Sequence, residues 1–309
     1  MSGKPFAPTR IVCATDLSEA ADEALRQAHA MASRYRAALT VVHIVPDIVR
    51  SYLLFPQQHR QAYAEEAPKM LDRATEAVRD RMATVVDRPA DAYRIYVETG
   101  KPYVEIVRAA EAEEADVLVV GARGSSGLQR VVLGSVAEQV LRHAHCPVLV
   151  AHPLPTTATT AGKVLAASDL SDPGFGALAA AAAEARTRGG KLLALHVLEV
   201  WTPLLGVDGV SLPASTLSAL VEQEQVLKKE AEEKMAAVLA RLNVQAEVRV
   251  MQGTPAPTIL EQATESGAEL LVLGTHGRTG LKRLLLGSVA ERVLRAAHLP
   301  VLVVRLVED

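Results

Sequence analysis

Short apolar runs alternate with longer amphipathic stretches along the whole chain, and these two patterns are typical of strands and helices respectively. Such an alternation predicts strand–helix units that form a parallel sheet with helices on both faces, an α/β fold. Helices are expected to fill the gaps between the strands. Ten strands are predicted, at residues 10–14, 39–45, 93–98, 116–120 and 147–151, and again at 163–167, 192–198, 246–251, 269–273 and 300–304.

The two groups of five strands belong to two copies of one sequence unit. Asp16 returns as Asp169 and Gly121 returns as Gly274, in each case 153 residues later. Residues 116–150 and 269–303 share 22 identities in 35 positions, more than a shared strand or helix pattern produces. The repeat predicts one domain over residues 1–152, a connection rich in proline and threonine over 153–162, and a second domain over 163–309.

Composition supports two folded domains and disfavours several kinds of partner. The chain has 309 residues, of which 49% are apolar, 22% charged and only 3% aromatic, so the cores must be mainly aliphatic. A net charge of −3 and the lack of a basic stripe disfavour nucleic acid. No apolar run approaches the roughly 18 residues of a membrane helix, and we expect a cytoplasmic protein. Cys13 and Cys146 lie within or beside apolar runs and are expected to be small core residues.

Polar residues follow the first strand of each copy directly. Open parallel sheets bind ligands beyond the carboxyl ends of their strands, where the strand order reverses. Asp16 and Asp169 stand at such strand ends, and a carboxylate there can accept hydrogen bonds from ribose hydroxyls or an adenine amine. The alternative, which is favoured when these residues are considered alone, is that both only cap the next helix. Ser18 and Ser171 are also expected to cap that helix.

A glycine pattern follows the fourth strand of each copy. Gly121 and Gly124 are separated by nine residues from Gly134 and Ser135, and the second copy repeats this spacing with Gly274, Gly277, Gly287 and Ser288. Glycines let backbone N–H groups approach phosphate oxygens, and a helix start favours an anion. The pattern therefore predicts a phosphate-binding loop in each copy. Tight turns and close helix packing are the alternative explanation for the glycines.

This spacing, Gly-x2-Gly-x9-Gly-Ser, resembles the ATP-binding branch of the universal stress protein family, and the resemblance covers both copies. It implies an adenine-nucleotide α-hydrolase-like (Rossmann-like) fold, with strand order 3-2-1-4-5 in each copy and pairing of the copies through their last strands. The cofactor that it implies is ATP, with Mg²⁺ or alternatively Mn²⁺. Residues similar to the family's nucleotide contacts, beside the glycine and serine positions above, are Asp16 and Asp169 for ribose, Ala14, Thr15, Ala167 and Ser168 beside them, Ile44, Val197, Val120 and Leu273 for adenine, and Val136 and Val289 after the phosphate-contacting hydroxyl.

The leading hypothesis is a stress-response or regulatory protein that binds one ATP per copy and acts as a nucleotide-dependent switch, with at most slow ATP hydrolysis. Arg123 stands where the second copy has His276, a difference that would let the two sites differ in affinity. No catalytic residue is assigned, and His43 and His196 are expected to be hydrogen-bonded core residues. Two alternatives stay open: a protein-binding scaffold with vestigial sites, and a nucleotide hydrolase. The partners that we expect are the adenine nucleotide and the other copy, which would form a pseudo-dimer within the chain. A homodimer and a further protein partner, which the sequence does not identify, both stay open.

Overall fold

The computed structural model describes residues 6–46, 57–86, 92–123, 133–154, 162–199, 214–274 and 286–305. The first copy comprises β1 (Arg10–Thr15), a 3-10 turn (Glu19–Ala21), α1 (Asp22–Tyr35), β2 (Ala38–Pro46), α2 (Gln57–Val86), β3 (Arg94–Gly100), α3 (Pro102–Ala112), β4 (Val117–Gly121), α4 (Ser135–His143) and β5 (Val148–Ala151). The second copy comprises β6 (Val164–Ala167), α5 (Asp172–Thr187), β7 (Leu192–Leu198), α6 (Ala214–Arg241), β8 (Ala246–Gln252), α7 (Pro255–Glu265), β9 (Leu270–Gly274), α8 (Ser288–Ala296) and β10 (Val301–Val304).

The strands form one ten-stranded sheet in the order β3-β2-β1-β4-β5-β10-β9-β6-β7-β8. Each half has the order 3-2-1-4-5 and is parallel throughout, which confirms the α/β class and the predicted topology. The halves meet where β5 and β10 pair antiparallel, with Leu149 opposite Leu302. The last strands therefore join the two copies, as the resemblance implies.

The two faces of this sheet bury two separate hydrophobic clusters. Val12 and Ala14 of β1 pack in the cluster that contains α3, α4, α7 and α8, whereas Ile11 and Cys13 pack in the cluster that contains α1, α2, α5 and α6. Each cluster includes residues of both copies, so the copies share their cores across the β5–β10 pairing. Cys13 is fully buried as predicted, while Cys146 is only partly so, and burial raises the pKa of its thiol to about 11.

Local sequence signals account for most helix starts. Pro102 and Pro255 stand in the first turns of α3 and α7, where the missing N–H is not needed. The Ser171 hydroxyl caps α5 by accepting a hydrogen bond from the Gly174 N–H at 3.3 Å. The corresponding expectation for Ser18 was wrong, because Ser18 precedes only the 3-10 turn and its hydroxyl makes no capping hydrogen bond. No helix in the described ranges is long and apolar enough to span a membrane.

Helices α4 and α8 meet across the seam through a nearly symmetric group of ion pairs. Arg295 contacts Glu138 of the other copy at 3.2 Å and Glu291 of its own helix at 3.0 Å. Arg142 contacts Glu138 at 3.0 Å and Glu291 at 3.9 Å. Because both copies supply the same residue types at equivalent positions, this contact keeps the symmetry of the duplication.

The contact between α1 and α5 on the other face of the sheet is asymmetric. Glu184 of α5 is completely buried and accepts hydrogen bonds from Arg34 of α1 at 3.2 Å and from Arg188 at 2.9 Å. The position equivalent to Glu184 in the first copy is Met31, which is also completely buried. A pair of first copies would therefore lack the carboxylate, and a pair of second copies would lack Arg34. The seam chemically favours pairing of a first copy with a second.

We expect Glu184→Ala to lower the free energy of unfolding by about 3 kcal/mol, because it leaves two guanidinium groups without their buried counter-charge. Glu184→Met, which copies the residue at position 31, should cost less because it refills the volume. Glu233→Ala is the control, since its ion pair with Lys229 is exposed and should be worth less than about 1 kcal/mol. Urea unfolding would measure all three, and equal losses for Glu184→Ala and Glu233→Ala would contradict this account of the seam.

Candidate functional site

The candidate sites lie at the point in each half-sheet where the strand order reverses. β1 and β4 are neighbours, but α1 packs on one face of the sheet and α4 on the other. Open α/β sheets usually bind ligands beyond the carboxyl ends of the strands at such a point, which in the first copy lies after β1 and β4. In the second copy the pairing of Ala167 with Leu273 sets the same arrangement for β6 and β9.

The turn after β1 is held by its own polar side chains. Thr15 Oγ1 accepts a hydrogen bond from the Leu17 N–H at 3.1 Å. Asp16 Oδ1 accepts one from the Ser18 N–H at 3.1 Å and a second from the Ser18 hydroxyl at 2.5 Å. One oxygen of Asp16 is thus used within the turn, and the side chain is exposed.

The turn after β6 repeats these bonds residue by residue. Ser168 Oγ accepts from the Leu170 N–H at 3.1 Å, and Asp169 Oδ1 accepts from both the N–H and the hydroxyl of Ser171. The other carboxylate oxygen, Asp169 Oδ2, is buried and has no hydrogen-bond partner within the described part of the chain. A buried carboxylate oxygen without a donor is costly, so this atom is suited to receive a hydrogen bond from a ligand.

Both turns contain a leucine in the left-handed region of the backbone map. Leu17 and Leu170 each have a φ of 63°, a conformation that a bulky side chain rarely adopts. Their side chains pack against the cluster formed with α1 and α5, and this packing holds the turn in place. Strain of this kind is concentrated at functional sites, and here it occurs at the same place in both copies.

Each turn is also fixed by a histidine of the neighbouring strand. His43 Nδ1 contacts the carbonyl oxygen of Thr15 at 2.9 Å, and His196 Nδ1 contacts that of Ser168 at 2.7 Å. This confirms the prediction of hydrogen-bonded histidines within the sheet. Both histidines contact the carbonyl group just before each aspartate, a role that the sequence did not predict. Their recurrence at one offset was the available signal, but their hydrogen-bond partner could not be read from it.

The glycine pattern brings the end of β4 to the start of α4. A Cβ atom at Gly121 would lie 3.0 Å from the Arg123 carbonyl oxygen, so the turn has little room for a side chain. The Gly134 N–H donates to the Ala122 carbonyl at 2.9 Å and so ties the two ends of the pattern together. In the second copy, Gly274 ends β9 and Gly287 precedes α8. Gly124, His276 and Gly277 lie outside the described residues.

Helices α4 and α8 begin at the predicted phosphate-contacting serines. Ser135 and Ser288 are the first residues of the two helices, and both are exposed. The preceding residues, Gly134 and Gly287, have no side chain that could cap the helix. Among the described residues, the first-turn N–H groups of both helices therefore have no capping side chain at the N-cap position, and the helix dipole favours an anion there.

The predicted base-contacting residues share the face of the sheet on which α4 and α8 lie. Ile44, Val120 and Leu273 are buried in the cluster of that face, and Val197 is half-buried against it. Of the two alanines predicted to lie beside the nucleotide, Ala14 is buried and Ala167 is half-buried. Arg123 is exposed, and of the valines that follow the serines, Val136 is exposed and Val289 is half-buried. The predicted base-contacting side chains and helices α4 and α8 thus lie on the same face of the sheet.

A cleft in the first copy lies away from the candidate nucleotide sites. This cleft of about 300 Å³ is lined by Asp116, His145 and Pro147 among others, at the amino ends of β4 and β5. It is thus on the opposite edge of the sheet from Asp16 and Gly121. The described residues contain no group of three or more histidine, cysteine, aspartate or glutamate side chains that could hold a metal ion.

Gly174→Ala tests how tightly the second turn is built. A Cβ at this position would lie 2.6 Å from Asp169 Oδ1 and 2.7 Å from Ser168 Oγ, so we expect the free energy of unfolding to fall by about 1–3 kcal/mol. Gly176→Ala, in the same helix, is the control and should be neutral or stabilising by up to about 1 kcal/mol. Thermal melts would compare the two. If Gly174→Ala is as stable as the control, the turn has more room than this geometry allows.

Comparison with known proteins agrees with the fold and identifies the family. The model of the universal stress protein family matches residues 8–152 and 160–305. A universal stress protein of Mycolicibacterium smegmatis is 31% identical over 299 residues, covering 96% of each chain. Universal stress protein Rv2623 of Mycobacterium tuberculosis is 32% identical over 315 residues, again covering 96% of each. The crystal structure of a universal stress protein from Archaeoglobus fulgidus has the same fold, with a TM-score of 0.61, 23% identity and 97% of each chain covered. The chain belongs to the universal stress protein family.

Proposed function

We propose that this protein is a regulatory protein that binds ATP at one site in each copy, and that occupancy of the sites is its signal. The observation that carries the proposal is Asp169 Oδ2, a buried carboxylate oxygen without a partner in the described ranges. It stands at the end of β6, where the strand order reverses. A ribose hydroxyl is a neutral donor of the right size to complete it.

The adenine ring would lie against the apolar side chains near the strand ends. Ile44 and Val120 in the first copy, and Val197 and Leu273 in the second, are buried or half-buried on one face of the sheet. A flat apolar ring gains most from such surroundings, since its faces are poorly hydrated. Ligand pockets are in general mainly apolar with a few placed polar groups, and the aspartates supply such groups.

The phosphates would bind at the starts of α4 and α8. The first-turn N–H groups and the hydroxyls of Ser135 and Ser288 are donors, and both helix dipoles favour negative charge at this end. Mg²⁺, or Mn²⁺ in its place, would be held mainly by phosphate oxygens, because both ions prefer oxygen ligands. Glu138 and Glu291, the acidic residues of the two first turns, are held in ion pairs with Arg142 and Arg295 at 3.0 Å. We therefore propose at most slow turnover and a switching role in the cytoplasm.

Aspartate in place of Ser135 and Ser288 would separate phosphate binding from folding. The helix dipole stabilises a carboxylate in the first turn, so the double variant should have a melting temperature at or above that of the wild type. The same charge repels phosphate, and we expect affinity for ATP with Mg²⁺ to fall by at least about a hundredfold, about 2.7 kcal/mol. Isothermal titration calorimetry should find about two sites per wild-type chain.

Alanine at the same two positions is the matched control. It removes only the hydroxyls, each worth about 0.5–1.5 kcal/mol, so binding should weaken without being lost. Unchanged ATP affinity in the double aspartate variant would exclude α4 and α8 as phosphate sites. A folded wild-type chain that gives no heat with ATP would instead refute nucleotide binding itself.

A further inference from the structure

The residues that follow the two last strands are equivalent by the repeat but differ in chemistry. His152 follows β5 and Arg305 follows β10, 153 residues later. Because β5 and β10 are antiparallel neighbours, each of these residues reaches toward the other copy. Arg305 meets the carboxyl end of α4, and His152 lies beside the equivalent end of α8.

Arg305 binds the last turn of the first copy's α4. Its Nη2 donates to the carbonyl oxygen of Leu141 at 2.9 Å and to that of Arg142 at 3.3 Å. The last carbonyls of a helix have no partner within the helix, and the negative end of the dipole favours a cation. Arg305 meets both requirements at once with a single guanidinium group.

His152 does not do the same for α8. It lies in a small cavity with Leu294 and Arg295, the equivalents of Leu141 and Arg142, yet its buried Nε2 has no hydrogen-bond partner among the residues described. Burial lowers the pKa of His152 to about 4, with smaller contributions from the charges of Arg123 and His298. The imidazole is therefore neutral at pH 7 and brings no cation to α8.

The contact of Arg305 with the last turn of α4 also affects the first turn, because the helix is short. Nine residues at 1.5 Å each span about 13 Å, so only about two and a half hydrogen-bonded turns connect the end of α4 to its start. Ser135 is its first residue and Leu141 and Arg142 lie in its last turn. A contact that fixes the last turn therefore also fixes the direction of the first-turn N–H groups. Preorganised donors bind an anion with less loss of conformational freedom.

We propose that Arg305 of the second copy is a positioning residue for the phosphate site of the first copy, and that the two sites are unequal because α8 lacks this contact. This inference rests on the proposed ATP sites. The first-copy site is the tighter one. The C-terminal strand of the chain thereby sets the affinity of a site formed by its N-terminal half.

The contact of Arg305 with the last turn of α4 is tested without nucleotide by hydrogen–deuterium exchange. Arg305→Met keeps the side-chain stem but removes the donors and the charge, so peptides covering α4 should exchange faster while those covering α8 do not. Arg305→Lys keeps the charge and should restore much of the protection. Arg241→Gln, at an exposed position on α6, is the control. Wild-type exchange of α4 in Arg305→Met would overturn the proposal.

The effect on binding needs a readout that separates the copies. Photolabelling of the intact chain with 8-azido-ATP, followed by peptide mass spectrometry, gives a saturation curve for each copy because their peptides differ. Arg305→Met should weaken the first-copy site about fivefold or more and leave the second unchanged. Equal weakening of both sites would overturn the positioning role. If wild-type protein is not labelled in either copy, the ATP sites are refuted. Hydrogen exchange in α4 would still show whether Arg305 holds the last turn of that helix.

Discussion

The antiparallel pairing of β5 with β10 is the constraint on which the rest of the structure depends. It turns two five-stranded sheets into one, and it brings the helices beside the last strands into contact on both faces. Neither hydrophobic cluster belongs to a single copy, so burying the apolar strands of one copy requires the other. The ion pairs of α4 and α8, the buried Glu184 and the contact of Arg305 with α4 all follow from this one pairing.

The fold could be predicted from the sequence because its signals are local. Each strand of a parallel sheet is buried on both faces and reads as an apolar run, and the repeat gives every element a second, independent reading. The predicted strand ends differ from those observed by at most two residues. Ser18 was wrong because the chain first forms a 3-10 turn, and its hydroxyl bonds the Asp16 carboxylate instead of a helix N–H.

The site could be predicted only in part, because much of it depends on contacts between distant residues. The strand-end aspartates and the glycine spacing are visible in the sequence, since each lies within one short segment. The burial of Asp169 Oδ2 and the histidine contacts with the strand-end carbonyls require neighbouring strands to be placed first. The contacts of Glu184 and Arg305 are harder still to predict from the sequence, because their partners in the other copy lie about 150 residues away or more.

Joining the copies through their last strands also changes how the molecule meets other proteins. Two separate five-stranded sheets would present four open edges, whereas the fused sheet of described strands ends only at β3 and β8. Open edges are templates for aggregation, and charged side chains discourage it. Both remaining edges carry such charges, with Arg94 and Glu98 on β3 and an ion pair between Glu247 and Arg249 on β8. Duplication and fusion have therefore protected the apolar middle of the sheet, and only charged borders are left for an unfolded chain to encounter.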